Sequence, residues 1–564
     1  MNPAIEDLAD QLIAARFRQE PLEAALLGLP ARRGELADLS SSAQADLMAT
    51  YSSLASAAEA LYEAARVDEL DHDETDVLTL DLIRMTAETT ALSLSVPLLE
   101  FTATDIFVAP LAGVLAALPM LALDSPERRD DQLARLAALP VFLEQSAQRL
   151  RDGVDAGRTP QERGVRAAMA QIDAITGDPL LGALRSDPDG APDEFAAAQG
   201  HVLDEVVRPA LLRYREVLEN QVLPSGRADE KPGLCWLPGG EDMYQRCVRY
   251  STSTEHTAED LHSTGLAIIE RLNEEFAALG SELWNTTDVA EIHERLRTDP
   301  ALRYESGDEI VTTAIEAVRR AEHAAPEWFG LIPTTACAVE PIPEALAEGS
   351  PPAYYFTGAL DGSRVGTYFI NTTKPEQRFR HLAEAVAFHE AVPGHHFQLT
   401  IAQQLEGSHV VHSVFADVAT AEGWGLYAER LADEMGLYTS AVARLGMVST
   451  DAWRAARLVV DTGLHALGWS RQDAIDWMGA HVPMSSLEIH SEVDRYISVP
   501  GQALAYMVGR LALEAHRRDA AERLGERFNI RAFHDLILRS GPVPLPALAS
   551  AVERWISSQT NASN

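Results

Sequence analysis

Apolar residues recur every three or four positions over residues 4–18, 42–66 and 74–98, the spacing that gives a helix one oily stripe. The same spacing returns after Thr257-Ala-Glu-Asp260, which has the order of a capping box; Leu261, Leu266, Ile269, Leu272 and Phe276 supply the apolar face that follows. Proline- and glycine-rich stretches punctuate the chain at 177–193, 223–241 and 341–363. The third precedes the best strand candidate, residues 364–371, where Val365, Thr367 and Phe369 alternate with Gly366, Tyr368 and Ile370. Lys374-Pro375 opens a helix expected to run through to Glu390, and helical pattern then continues to about residue 555. Residues 557–564 are expected to fray as a flexible tail. The pattern predicts a mainly α protein with one small β element. Residues 1–240 form an N-terminal helical lobe and residues 241–556 a C-terminal catalytic lobe, the two joined as one body.

Composition narrows the function classes. With 46 basic against 85 acidic residues the formal charge is −39. Such a surface repels nucleic acid and anionic membranes and mainly keeps the protein soluble. Residues 106–123 are uncharged and apolar, but Pro110, Gly113 and Pro119 divide them and no Lys or Arg flanks them, so they predict a buried helix pair or helix–loop. The first residues lack the charged and apolar regions of a secretory signal. The three cysteines, Cys235, Cys247 and Cys337, match no metal spacing and are expected as reduced thiols in the cytoplasm.

The chemistry gathers at residues 389–398, His-Glu-Ala-Val-Pro-Gly-His-His-Phe-Gln, and at Glu422-Gly-Trp-Gly-Leu-Tyr427. Phe379, Leu382 and Val386 form a stripe that His389 continues, so His389 faces inward. A zinc helix usually carries its histidines four apart on one face. Here the next imidazoles stand six and seven residues on. In a straight helix the sixth is turned about 240° away and the seventh lies about 10 Å further along, too far to share an ion bound at about 2.0–2.1 Å. Pro393 denies His389 its helical hydrogen bond and Gly394 permits an unusual turn, so a break here returns His395 to the vicinity of His389. His396 ranks second as a ligand, or stands behind one. Glu422 lies on a stripe with Phe415, Val418, Ala419 and Leu426. A carboxylate there needs a cation: either the metal, or an arginine such as Arg454 or Arg457. Glu390, next to a ligand, is the candidate general base that takes the proton of an attacking water.

These residues resemble a bacterial family known only as domain of unknown function 885, whose members carry His-Glu-x-x-Pro-Gly-His followed by Glu-Gly-Trp-x-Leu-Tyr. The likeness extends to Asp461-Thr-Gly-Leu-His465, Glu492-Val-Asp-Arg495-Tyr496 and Pro500-Gly-Gln502-Ala-Leu-Ala-Tyr506. Some members have leucine at the position of His396, which favours His395. The family in turn resembles zincin-type peptidases, large two-lobed helical bodies akin to angiotensin-converting enzyme and thimet oligopeptidase. By that likeness His389, His395 and Glu422 bind one zinc ion and Glu390 is the base.

Arg495, Tyr496 and Tyr506 are candidate donors to an oxyanion or a substrate carboxylate, with His465 and His490 behind them. As ordinary structure, the tyrosines would be buried core and Arg495 the partner of Glu492. The strand 364–371 is a candidate for pairing with an extended peptide. His381 and Glu384 are expected in solvent. The sequence thus points to a zinc metallohydrolase acting on a peptide or small amide, with oligomeric state left open. A di-iron site needs Glu-x-x-His pairs facing inward; Glu69–His72, Glu259–His262 and Glu406–His409 have the spacing without an inward stripe. A helical protein with a relic metal site is the remaining alternative.

Overall fold

Helices form where the apolar stripes place them: Pro3–Gln19, Ser41–Arg66 and Glu74–Leu94 match the three early stretches. The computed structural model describes all residues except 31, 67–71, 187–191, 344–346, 348–350, 406–408 and 562–564. Thr257 caps Ala258–Trp284 with the reciprocal Asp260 bond that the sequence implied. Leu266 departs from its expected place, being 39% exposed, while Gly265 and Ile268 turn inward instead. The apolar stretch 106–123 folds as the short helix Pro110–Ala117 and a further turn, with Leu111, Val114 and Leu118 buried. No helix among the described residues is long and apolar enough to cross a membrane. The expected frayed tail is instead helical as far as Asn561, as the end of Leu545–Asn561.

Three hydrophobic clusters fill the interior. One joins Ile5, Leu12 and Leu80 of the first helices to Phe388, Trp424 and Phe533. A second gathers Leu261, Phe276, Leu458 and Tyr496, and a third holds Leu139, Ile172 and Leu211. The N-terminal helices therefore share a core with the segment that carries His389. Two close helix pairs frame the site, and small residues set both. Gly265 of Ala258–Trp284 sits against Leu458 and Val459 of Ala441–His465, and Gly423 of Val418–Glu434 meets Gly509 of Ala505–Leu524 backbone to backbone. A Cβ at Gly509 would strike the Ala419 carbonyl.

The β element is a three-stranded sheet in the order β1 (Ala338–Pro341), β3 (Thr367–Ile370), β2 (Ala353–Phe356). β1 runs parallel to β3, β2 antiparallel, with Tyr355 opposite Tyr368. The predicted strand is thus the central one, and its two edges are already taken. It cannot accept a peptide as a further strand, and on β2 the outward N–H of Tyr355 is already bonded to Glu390.

The helix expected over 374–390 is broken up. Pro375–Gln377 and Arg380–Leu382 are single tight turns, and a regular helix spans only Ala383–Glu390. Arg378 and Phe379 are extended because Phe379 pairs through its backbone with Arg303, whose guanidinium lies 4.2 Å from its ring centre. A tertiary partner overrides the helical stripe here. It also corrects two surface assignments. His381 is 1% exposed and neither ring nitrogen has a hydrogen-bond partner; burial pushes its pKa down to about 3. Glu384 is buried, paired with Arg320 at 2.8 Å and bonded by the Thr439 N–H and hydroxyl.

Candidate metal centre

The break predicted at Pro393-Gly394 is present. Ala383–Glu390 ends, four residues turn, and a new helix begins at His395. Gly394 has φ −80° and ψ −130°, and a Cβ on it would run into the carbonyls of Phe388 and His389. Only glycine lets the chain fold back this tightly. The turn is pinned from the neighbouring helix, where Trp424 Nε1 donates to the Pro393 carbonyl at 2.8 Å. Gly425 completes the fit: a Cβ there would sit 2.7 Å from Cε1 of His389. The two glycines flanking Trp424 in the Glu-Gly-Trp-Gly run thus have separate jobs. Gly423 admits the facing helix; Gly425 admits the imidazole.

The result brings His389, His395 and Glu422 together. Their candidate ligand atoms all lie within 4.8 Å of one another. Oε2 of Glu422 is 3.5 Å from Nε2 of His389 and 3.3 Å from Nε2 of His395. The imidazoles stand nearly perpendicular, 86° apart, with centres separated by 4.6 Å. Four donors placed tetrahedrally at about 2.0–2.1 Å from zinc are about 3.3 Å from each other. The two separations from Glu422 fit that edge length, and the third lies within 4.8 Å, so the residues present suit such an ion.

Electrostatics favour a cation at the same point. Burial alone would raise the Glu422 carboxyl, but the bonds to His389 and His395 hold its pKa well below the usual carboxylate range. Burial alone would lower His389; its bonds to Glu422 and Glu429 and the charge of Glu390 lift its pKa to about 9. Three carboxylates crowd one imidazole and favour positive charge between them, on the ring itself or on a bound cation.

Glu429, which the sequence reading missed, lies behind the site. It is fully buried, accepts from Nδ1 of His389 at 2.8 Å, and takes a further bond from the Thr450 hydroxyl. That fixes the His389 tautomer and leaves Nε2 free to ligate. The signal was available: Glu429 follows Glu422 by seven residues, two turns along one face.

Glu390, the candidate base, ends its helix beside His389, and its Oε2 accepts the backbone N–H of Tyr355 on β2 at 2.8 Å. His396 points away from the triad. Its Nδ1 meets the Tyr355 hydroxyl at 3.1 Å and its Nε2 the Thr335 carbonyl at 3.0 Å, so it anchors the sheet. Tyr506 stacks against His389 with ring centres 6.4 Å apart. Tyr496 is fully buried, its hydroxyl accepting from Trp453 and Arg457. Arg495 binds Glu492 and Gln502. His465 sits between the Leu234 N–H and the Tyr496 carbonyl, and His490 is exposed. Among the supporting candidates, Tyr506 therefore lies at the triad, while Arg495, Tyr496 and His465 stand behind it. Neither arginine considered for Glu422 reaches it: Arg457 pairs with Glu492, and Arg454 lies 3.9 Å from Glu429. Of the spaced Glu–His pairs, Glu69 and Glu406 fall outside the described residues. His262 bonds the Val459 carbonyl and Thr462.

Comparison with known proteins gives a family and a fold. The profile of a family described as "Bacterial protein of unknown function (DUF885)" matches residues 21–552. Among solved structures, a "putative lipoprotein" from Colwellia psychrerythraea is similar with a TM-score of 0.88 at 22% identity, over 98% of this chain and 99% of that one. A "putative lipoprotein of unknown function" from Shewanella oneidensis has a TM-score of 0.74 at 18% identity, covering 97% and 99%. No curated protein matches the chain.

Proposed function

The chain belongs to that bacterial family of unknown function, and we propose that it is a zinc-dependent hydrolase, most simply a peptidase of zincin-like type. The observation that carries this reading is the pair of 3.3 and 3.5 Å separations between Glu422 and two imidazoles across a purpose-built helix break. His389, His395 and Glu422 would hold one ion per chain. Zinc at such a set supplies Lewis-acid polarisation of a water and of the substrate carbonyl.

The protein groups do the rest. Glu390, with Oε2 tied to Tyr355, keeps its other oxygen to accept the proton of the attacking water and pass it to the leaving amine. Tyr506, whose ring stacks on His389, would donate to the developing oxyanion without adding charge. The Tyr355 N–H of β2 holds Glu390 in place beside His389. Glu429 keeps His389 in the tautomer that ligates. On the free thiols of Cys235, Cys247 and Cys337 we place the protein in the cytoplasm, and cell fractionation decides between that and the envelope location that "lipoprotein" implies for its structural relatives.

Elemental analysis joined to a peptide-library digest tests the reading. One zinc per chain is expected in both wild type and Glu390→Gln, with cleavage about 10²- to 10⁴-fold slower in the variant. Two irons per chain, no metal, or undiminished cleavage by the variant would sink it. Cleavage of small amides but no peptide would keep the centre and change the substrate.

A further inference from the structure

We infer that Arg454 and Arg457 form a carboxylate-binding subsite beside the triad, so that the substrate presents a free carboxylate within about three residues of the bond that is cut. This rests on the hydrolase reading above and names the substrate class for it.

The two side chains are 6% and 3% exposed, and their nitrogens are undersupplied with acceptors. Nε and Nη1 of Arg454 and Nη1 of Arg457 are buried with no hydrogen-bond partner among the described residues. Among the described residues the nearest carboxylate oxygen to Arg454 is Oε1 of Glu429 at 3.9 Å, beyond hydrogen-bond distance and already committed to His389. Arg457 does better, with Nε on the Tyr496 hydroxyl and Nη2 on Glu492, but Arg495 draws on that same carboxylate. Guanidinium is never neutralised by losing its proton, and a buried one without its anion is costly. In a chain of net charge −39, a buried pair of arginines short of acceptors is the exception.

The arrangement suits a carboxylate. Both guanidiniums flank Trp453, 4.3 and 4.4 Å from its ring centre, and both approach Tyr506, at 5.8 and 4.3 Å. Two planar cations on the same two aromatic rings suit a planar, bidentate anion. Tyr506 is also the ring stacked on His389, so the anion lies one aromatic ring from the metal ligands. One residue of extended chain spans about 3.3–3.6 Å, so the 4.3 and 6.4 Å steps through Tyr506 put the carboxylate within about three residues of the scissile carbonyl. A C-terminal carboxylate makes the protein an exopeptidase acting at the C-terminus. An aspartate or glutamate side chain would supply the same chemistry from within a chain.

The test uses zinc-loaded Glu390→Gln protein, which binds peptide without turnover, and titration calorimetry with three probes: N-acetyl-Ala-Ala acid, its C-terminal amide, and N-acetyl-Ala-Glu amide. The acid is expected to bind about 10- to 100-fold more tightly than its amide. Tight binding by the glutamyl amide as well would assign the subsite to side chains. Adding Arg454→Gln should erase the preference, and Arg454→Lys should restore part of it if the effect is recognition and not folding. Equal affinity for acid and both amides overturns the proposal, and so does a preference untouched by Arg454→Gln. Acid-selective binding by a protein whose wild type cleaves nothing keeps the subsite and sinks the peptidase reading. Cleavage of acid and amide at equal rates does the reverse.

Discussion

His389 and His395 stand six residues apart and converge on one point, while Glu422 and Glu429 stand seven apart and do not. The difference lies in the backbone between them. Across Pro393 and Gly394 the helix stops and restarts, so two imidazoles meet at right angles. Along Val418–Glu434 the helix is continuous, so its two carboxylates stay two turns apart. The Glu422 side chain is 21% exposed, and Glu429 is sealed behind His389. A break turns neighbours in sequence into ligands of the same ion; an intact helix turns them into a ligand and its support.

The largest effect should come from removing a converging group. Glu422→Gln keeps the shape and loses the charge, and we expect it to cost about 3–4 kcal/mol of zinc binding, more than 100-fold. Competition with a chromogenic chelator measures this directly. Tight stoichiometric zinc in that variant would mean the ion binds elsewhere. Next comes the break itself. Gly394→Ala forces a Cβ onto the carbonyls of Phe388 and His389, both backbone and unable to yield cheaply. About 3 kcal/mol or more of stability should be lost, read by denaturant unfolding, with zinc affinity falling alongside it. An unchanged midpoint with full zinc would show that convergence does not need this turn.

Glu429→Gln probes the supporting member. It leaves Nδ1 of His389 bonded to a neutral oxygen, so zinc affinity should fall about 10- to 100-fold, less than for Glu422→Gln. The ranking is the point of the experiment. If the two variants lose zinc equally, the separation into ligand and support is wrong.

Much of this was legible along the chain, and the failures have physical causes. Helices with clean apolar stripes and local caps, such as Ala258–Trp284, are set by neighbouring residues and were readable. So was the centre, because Pro-Gly between histidines is a local instruction. What escaped depended on partners far away. Residues 378–379 leave the helix because Arg303 pairs with Phe379. His381 and Glu384 looked like surface residues, yet the helix Ala441–His465 closes over them: its Gly446 lies against the His381 carbonyl, and Arg320 and Thr439 satisfy Glu384. Leu266 sat on the predicted stripe but faces solvent, since Gly265 is what the close helix contact selects. Glu429 was missed because a carboxylate that serves a histidine looks, in sequence, like any helical glutamate.

The smallest effect extends the comparison to a histidine with no carboxylate beside it. His465 is fully buried; its Nδ1 accepts from the Leu234 N–H at 3.1 Å and its Nε2 donates to the Tyr496 carbonyl at 3.0 Å. Burial dominates, and the pKa falls to about 4, whereas the carboxylates around His389 lift that one to about 9. Between pH 6.5 and 4 the unfolded chain therefore binds a proton at His465 that the folded chain refuses. The stability from this residue is complete above pH 6.5 and is lost as pH falls through that window, by about 2 kcal/mol at pH 5. His465→Gln can keep both hydrogen bonds but cannot titrate. It should be less stable than wild type at pH 7, and the gap should narrow by about 2 kcal/mol at pH 5 in chemical denaturation. A gap that stays constant across that range would mean that His465 remains as open to protonation in the fold as it is outside it.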